Sequence, residues 1–151
     1  MAVTTEHLDL HPEAVFAVLA DPWRFADWVV GAKRIRAVDE AWPAAGSRFH
    51  HRFGVGPLTI DDSTVLEEID PPQRIVLRAR ARPTGVARVT VELVATAEGG
   101  TDVTMTEVPI SGLAARLHNP ALDLLVALRN RCSLRRLASL ASRQGATGSG
   151  T

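Results

Sequence analysis

The chain has no tyrosine, one cysteine, no excess charge of either sign and no long apolar run. Each absence removes a class of function. Cys132 alone forms no intramolecular disulfide, which suits a reducing cytoplasm, and one thiolate without ligand spacing builds no structural zinc site. Lysine plus arginine matches aspartate plus glutamate, 17 against 17, so the basic excess of a nucleic-acid binder is missing. No run of about 18 apolar residues is available to span a membrane. The opening Met1-Ala2-Val3-Thr4-Thr5-Glu6 has neither the basic start nor the apolar segment of a signal peptide. The expectation is a cytoplasmic protein with no nucleic-acid partner. Without tyrosine, any catalytic scheme loses one common phenolic acid.

Metal and phosphate chemistry are equally poorly served. His50 and His51 are neighbours on an expected strand and point to opposite faces, so they do not readily share a metal. His7, His11 and His118 are scattered. Gly54-Val55-Gly56-Pro57 and Gly99-Gly100 read as turns, with no strand-to-helix phosphate loop around them. No metal and no cofactor is expected.

What is present is an ordinary globular composition, 46% apolar. A chain of 151 residues can bury about two-thirds of its unfolded surface in one domain. That domain is expected over residues 1–143, with a small, Gly/Ser/Thr-rich disordered tail over 144–151. Abundant alanine, arginine, valine and glycine suit a GC-rich bacterial genome.

The stretch from Asn119 to Arg143 organises the rest. Asn119 can cap a helix and Pro120 fits its first position, and neither glycine nor proline follows until Gly145. At about 100° per residue, Leu122, Val126, Leu137, Leu140 and Ala141 share one side, with Arg131, Arg135 and Ser142 opposite. Asn130 and Ser133 fall inside the apolar stripe. They are either satisfied core groups or the lining of a cavity, because an unpaired buried polar group costs about 1–3 kcal/mol. Cys132, near the stripe's edge, reads as a packed thiol.

Upstream, Val3 to Leu10 forms a first strand and His11-Pro12-Glu13 opens a helix with apolar Val15, Phe16, Val18 and Leu19. Asp21-Pro22 ends it and caps a short second helix, Trp23 to Trp28. Six strand segments follow: Ala32 to Asp39, Ser47 to Gly54, Leu58 to Ile69, Arg74 to Arg82, Val86 to Ala97 and Asp102 to Val108. Short connections make them antiparallel, in the order β-αα-β-β-β-β-β-β-α.

Hairpin registers assign the faces. A turn centred at Val55-Gly56 sets Phe53 against Leu58, His51 against Ile60 and Phe49 against Asp62. One near Thr84 sets Ala79 against Val89, Leu77 against Val91 and Ile75 against Leu93. One at Glu98-Gly99-Gly100 sets Leu93 against Met105 and Val91 against Glu107. One face is then apolar, and the other carries Arg48, His50, Arg52, Asp61, Arg78, Arg80, Arg82, Arg88 and Glu92, a solvated surface balanced by Glu67 or a docking face for an acidic partner. Asp62, Glu107 and His51 interrupt the apolar face, more polarity than a dry core keeps. Between Val108 and His118, Ser111-Gly112 gives a hinge, and Leu113, Ala114, Ala115 and Leu117 form either a gate or a plain connection.

These features resemble the START-like, helix-grip superfamily, in particular its SRPBCC branch of polyketide cyclase/dehydrase-like proteins. The resemblance spans roughly residues 2 to 142. It is carried by Ala14-Val-Phe-Ala-Val-Leu-Ala-Asp-Pro22 followed by Trp28, by Trp42-Pro-Ala-Ala-Gly-Ser-Arg-Phe49, by Leu66-Glu-Glu-Ile-Asp-Pro-Pro72 and by Gly100-Thr-Asp-Val-Thr-Met-Thr-Glu107. It implies an α+β fold: a seven-stranded antiparallel sheet wrapped around the long C-terminal helix, two short helices after the first strand closing one end, and a hydrophobic cavity between sheet and helix. Members bind lipids, sterols, polyketides and plant hormones, and some close or dehydrate aromatic rings.

The expected partner is therefore a small hydrophobic molecule, with the chain a monomer or homodimer. The expected lining is Trp28, Phe49, His51, Phe53, Ile60, Asp62, Leu77, Val91, Met105, Glu107, Val126, Asn130 and Ser133. If the protein is a cyclase or dehydratase, His51 and Glu107 are the acid/base candidates, and Asn130 and Ser133 the donors to an enolate oxygen. An interaction domain with a filled core is the third reading.

Overall fold

The computed structural model describes residues 1–81, 85–116 and 119–147. Strands β1 (Ala2–Leu8), β2 (Ala32–Val38), β3 (Arg48–Val55), β4 (Leu58–Asp70), β5 (Arg74–Ala81), β6 (Gly85–Ala95) and β7 (Thr101–Ser111) form one antiparallel sheet. Its order is β1-β7-β6-β5-β4-β3-β2: every strand pairs with its sequence neighbour except β1, which closes against β7. Helix α1 (Pro12–Leu19), a 3₁₀ turn (Pro22–Arg24) and α2 (Phe25–Trp28) connect β1 to β2. After β7 come α3 (Leu113–Arg116) and the long α4 (Pro120–Thr147). This is the α+β helix-grip architecture expected from the resemblance.

Local chemistry explains the ends. Asn119 Oδ1 accepts from the Ala121 N–H at 2.9 Å, capping α4 with Pro120 at its first position. Asp21 accepts from the Trp23 N–H at 3.0 Å and starts the 3₁₀ turn. Several boundaries differ from expectation. β1 stops at Leu8 rather than Leu10, and β7 continues past Val108 to Ser111, so Glu107 lies inside a strand and not at its exit. Helix α4 runs on to Thr147, through the expected end at Arg143. Arg82, Thr84, Leu117, His118 and residues 148–151 lie outside the described residues.

All three hairpins keep the expected faces but shift their pairs. Phe53 pairs with Ile60 and His51 with Asp62; Leu77 pairs with Val89 and Ile75 with Val91; Leu93 pairs with Val103 and Val89 with Glu107. In the first hairpin the reason is proline. A turn at Val55-Gly56 would ask Pro57 for the closing N–H that proline lacks. The turn instead falls on Gly56-Pro57, with Gly56 at φ +58°.

The core divides α4 into two halves that pack differently. Leu134, Leu137 and Ala141 are fully buried against Val15, Val18 and Leu19 of α1 and against the sheet residues Leu66, Ile75, Leu93 and Val103. The first half is held over the sheet by β1: the Thr4 hydroxyl donates to the Ala127 carbonyl at 3.3 Å, and Arg131 meets Glu6 at 3.2 Å. Here the packing is incomplete. Leu124, Leu125 and Leu128 face solvent, and Cys132, expected to be packed, is exposed beside them.

Candidate functional site

Beneath the first half of α4 lies a cavity of about 410 Å³, a volume typical of small-molecule sites. Its floor is the inner face of the sheet, with Leu77 on β5, Val89 and Val91 on β6 and Met105 on β7. Its roof is Leu122, Val126, Arg129, Asn130 and Ser133 of α4, and Phe25, Trp28 and Val29 close one end. Leu113 of α3, 61% exposed, stands at the rim with Leu122.

Of the expected lining, Trp28, His51, Phe53, Leu77, Val91, Met105, Glu107, Val126, Asn130 and Ser133 surround this space. Phe49, Ile60 and Asp62 do not. Phe49 is buried in the aromatic core, in edge contact with Phe25 (4.8 Å) and Trp42 (5.5 Å). Ile60 lies near the β3–β4 turn and is 42% exposed, because the actual register carries it beyond the cavity. Asp62 is buried at the sheet, where its carboxylate accepts from the Ser63 N–H (2.9 Å) and lies 3.9 Å from Arg80 Nε.

Two polar stations punctuate the apolar wall. The first is His51, fully buried on β3 among Phe25, Phe49 and Phe53, whose ring centroids lie 6.4, 5.8 and 4.9 Å away. Its Nε2 is 2.9 Å from the Thr64 hydroxyl, while Nδ1 makes no well-formed hydrogen bond among the described residues, with the Ser63 backbone as a polar neighbour of the ring. Burial holds its pKa below the ordinary 6.5, outweighing the opposing pull of neighbouring Asp62. The imidazole is therefore neutral near pH 7. Trp28 Nε1 is a second buried donor in the lining with no partner among the described residues.

The second station joins β7 to α4. Glu107 Oε2 accepts from Arg129 Nη2 at 2.5 Å and from Asn130 Nδ2 at 3.0 Å, and Asn130 Oδ1 accepts from Arg129 Nη2 at 3.1 Å. Ser133 belongs to neither station. Its hydroxyl accepts from the Val30 N–H at 3.0 Å and donates to the Arg129 carbonyl at 3.1 Å, clamping the chain after α2 to α4.

The two stations are not neighbours. β3 and β7 are separated by β4, β5 and β6, about 19 Å along the sheet at about 4.8 Å per strand. His51 and Glu107 thus face the cavity from opposite flanks of the sheet and cannot work as a touching acid/base pair. The carboxylate beside His51 in the strand ladder is Asp62. Phe25, Thr64 and Arg129 line the cavity in addition to the expected residues. Arg129 was visible in principle, since it falls between Val126 and Ser133 on the same helical stripe.

A long C-terminal helix gripped by an antiparallel sheet, with an apolar chamber between them, defines a helix-grip protein built around an internal cavity. Residues 2–142 match the model of one such family, described as polyketide cyclase / dehydrase and lipid transport, and the chain belongs to that family. Its fold resembles the ZhuI aromatase/cyclase from Streptomyces sp. R1128, at 18% identity and a TM-score of 0.75, covering 99% of this chain and 98% of that one. It is also similar to protein NE0264 from Nitrosomonas europaea, at 18% identity and a TM-score of 0.71, covering 95% of each. CalU16 from Micromonospora echinospora aligns at 15% identity and a TM-score of 0.65, covering 96% of this chain and 78% of that one. No curated protein matches the sequence. Among the described residues, no helix is long and apolar enough to cross a membrane.

Proposed function

We propose that the protein binds a small, largely apolar molecule, a lipid or polyketide-like compound, in the cavity under α4. The observation that carries this reading is an apolar chamber whose lining includes two buried polar atoms, His51 Nδ1 and Trp28 Nε1, with no well-formed hydrogen bond among the described residues. Each such atom costs about 1–3 kcal/mol while unpaired. A ligand bearing an oxygen acceptor near Trp28 and a polar group near His51 removes that cost. Burial of its apolar body adds about 25 cal/mol per Å². Arg129, Glu107 and Asn130 offer a second polar contact at the far flank.

One observation favours a cyclase or dehydratase as the second reading. A neutral, desolvated imidazole with one nitrogen outside any well-formed hydrogen bond is suited to take a proton from an activated methylene. In that scheme His51 is the base. Glu107, already accepting from two donors, orients the substrate.

The test is native mass spectrometry of freshly purified protein, followed by denaturing extraction. The expected result is a co-purifying hydrophobic compound, or uptake of one from a mixed lipid and polyketide extract. A bare mass with no uptake overturns the binding reading. Incubating the extracted compound with wild type and with His51→Gln separates the two readings: a carrier converts it in neither protein, whereas an enzyme converts it in wild type and holds it without turnover in the variant.

A further inference from the structure

The outer face of the sheet carries a second hollow, of about 300 Å³, lined by Arg48, Arg78 and Arg80 together with Ser63 and Ser111. Three guanidinium groups border it, and their carboxylate partners are few. Arg78 lies 3.5 Å from Glu67, which also holds Arg88 at 2.9 Å. Arg80 is 3.9 Å from Asp62. The Arg48 side chain makes no ion pair among the described residues. The hollow is thus a half-exposed cluster of cations with two hydroxyls beside it, the donor set that recognises a phosphate or carboxylate.

This hollow is not separate from the cavity. Arg80 and Val86 line both. The sheet also parts between them. The β4–β5 ladder ends at the pair Thr64↔Ala79. Beyond it, among the described residues, β4 continues to Leu58 paired with β3 and β5 continues to Ala81 paired with β6. Across the sheet, β6 and β7 carry an irregularity between Val86 and Ala87 at the same end. Among the described residues, no backbone ladder closes the passage from the inner chamber to the arginines outside.

We propose that the cavity's ligand is an amphipathic anion, with its apolar body inside and its phosphate or carboxylate head lodged at Arg48, Arg78 and Arg80 through the gap between β4 and β5. This rests on the binding role proposed above and names the class of molecule that fills it. The gap explains why a basic hollow adjoins a mainly apolar chamber wall: each half of such a ligand meets its own chemistry. Arg80, common to both spaces, stands at the junction of head and tail.

Calorimetric titration with dodecyl phosphate, dodecanol and inorganic phosphate tests the proposal on wild type and on an Arg48→Gln/Arg78→Gln double variant. Both replaced side chains lie outside the cavity lining, and Glu67 keeps Arg88 at 2.9 Å when its longer contact with half-exposed Arg78 is lost, so the cost to stability is small. Dodecyl phosphate is expected to bind wild type at least about tenfold tighter than dodecanol. The double variant should lose that advantage and bind dodecanol as wild type does. Equal affinities of wild type for the two alkyl probes, or an undiminished preference in the variant, overturn the proposal. Tight binding of inorganic phosphate with no gain from the alkyl chain also overturns it, leaving an anion site unconnected to the cavity. Binding of neither alkyl probe refutes the cavity reading itself, a result separable from the other three.

Discussion

At the scale of single residues, His51 shows how burial sets chemistry. Three phenylalanines around the imidazole exclude water, and that exclusion disfavours the charged ring more than the nearby Asp62 carboxylate favours it. The folded-state pKa therefore lies below the unfolded one. Between the two values the unfolded chain binds the extra proton, so the contribution to stability is full above about 6.5 and is lost as pH falls from there toward the folded value. His7 has the opposite sign. The hydrogen bond that its ring N–H donates to Asp102 raises its pKa, so its contribution is present below about 6.5 and lost as pH rises through the folded value. Comparison with His51→Phe cancels the His7 effect, since both proteins keep it. Urea midpoints measured from about pH 7.5 to about pH 5 should fall more steeply in wild type than in His51→Phe. Parallel slopes would mean that the ring is solvated, and would remove the basis for a neutral base in the cavity.

At the scale of elements, the glycines of the β3–β4 hairpin separate two kinds of constraint. Gly56 takes φ +58° in open space, so a side chain there meets only the cost of a left-handed backbone, about 1–2 kcal/mol. A Cβ on Gly54 would lie 2.1 Å from the Leu58 carbonyl oxygen, a backbone atom fixed by the ladder. Gly54→Ala must therefore move one strand against the other and should destabilise more than Gly56→Ala, by about 1–3 kcal/mol. Thermal melts of the two variants decide, and equal losses would show that the hairpin yields freely. Much of this level was legible in the sequence. Alternation put His51, Leu77, Val91, Met105 and Glu107 on the inner face, and the two-residue shift in every hairpin left that face unchanged because side chains repeat with period two. The pairing itself was less legible: whether His51 stands opposite Ile60 or Asp62 depends on which residue fills the turn. Proline's missing N–H is the available signal for the pairing, but alternation alone does not show how far along the inner face the cavity reaches, so Ile60 near the turn and Phe49 in the aromatic core both read as lining. Arg129 was missed for a different reason. An arginine reads as surface unless a carboxylate is known to await it, and Glu107 lies far away in sequence, on β7.

At the scale of the whole molecule, α4 sets the balance between core and cavity. Its second half fills the space against α1 and the sheet with Leu134, Leu137 and Ala141, the fully buried apolar residues of this helix. Its first half leaves a chamber that packing alone would have closed. A molecule of this size could afford a complete core, so an unfilled chamber forgoes dispersion contacts along its whole lining. A ligand restores them, and its binding free energy adds to folding stability. At about 100 times Kd that gain is about 2.7 kcal/mol, or about 5–10 °C in Tm for a chain of this length. Val89 offers the counter-experiment, since it is half-buried, lines the cavity and sits on a strand that accepts aromatic residues. Val89→Phe should raise the Tm of the ligand-free protein by filling space and should abolish most of the shift that dodecanol produces in wild type. A lower Tm with the dodecanol shift intact would mean that the added ring is rejected by a wall already packed, and that the probe binds elsewhere. The contrast between the two halves of α4 would then lose its functional meaning, and the exposed Leu124, Leu125 and Leu128 would be the place to look for where the probe goes.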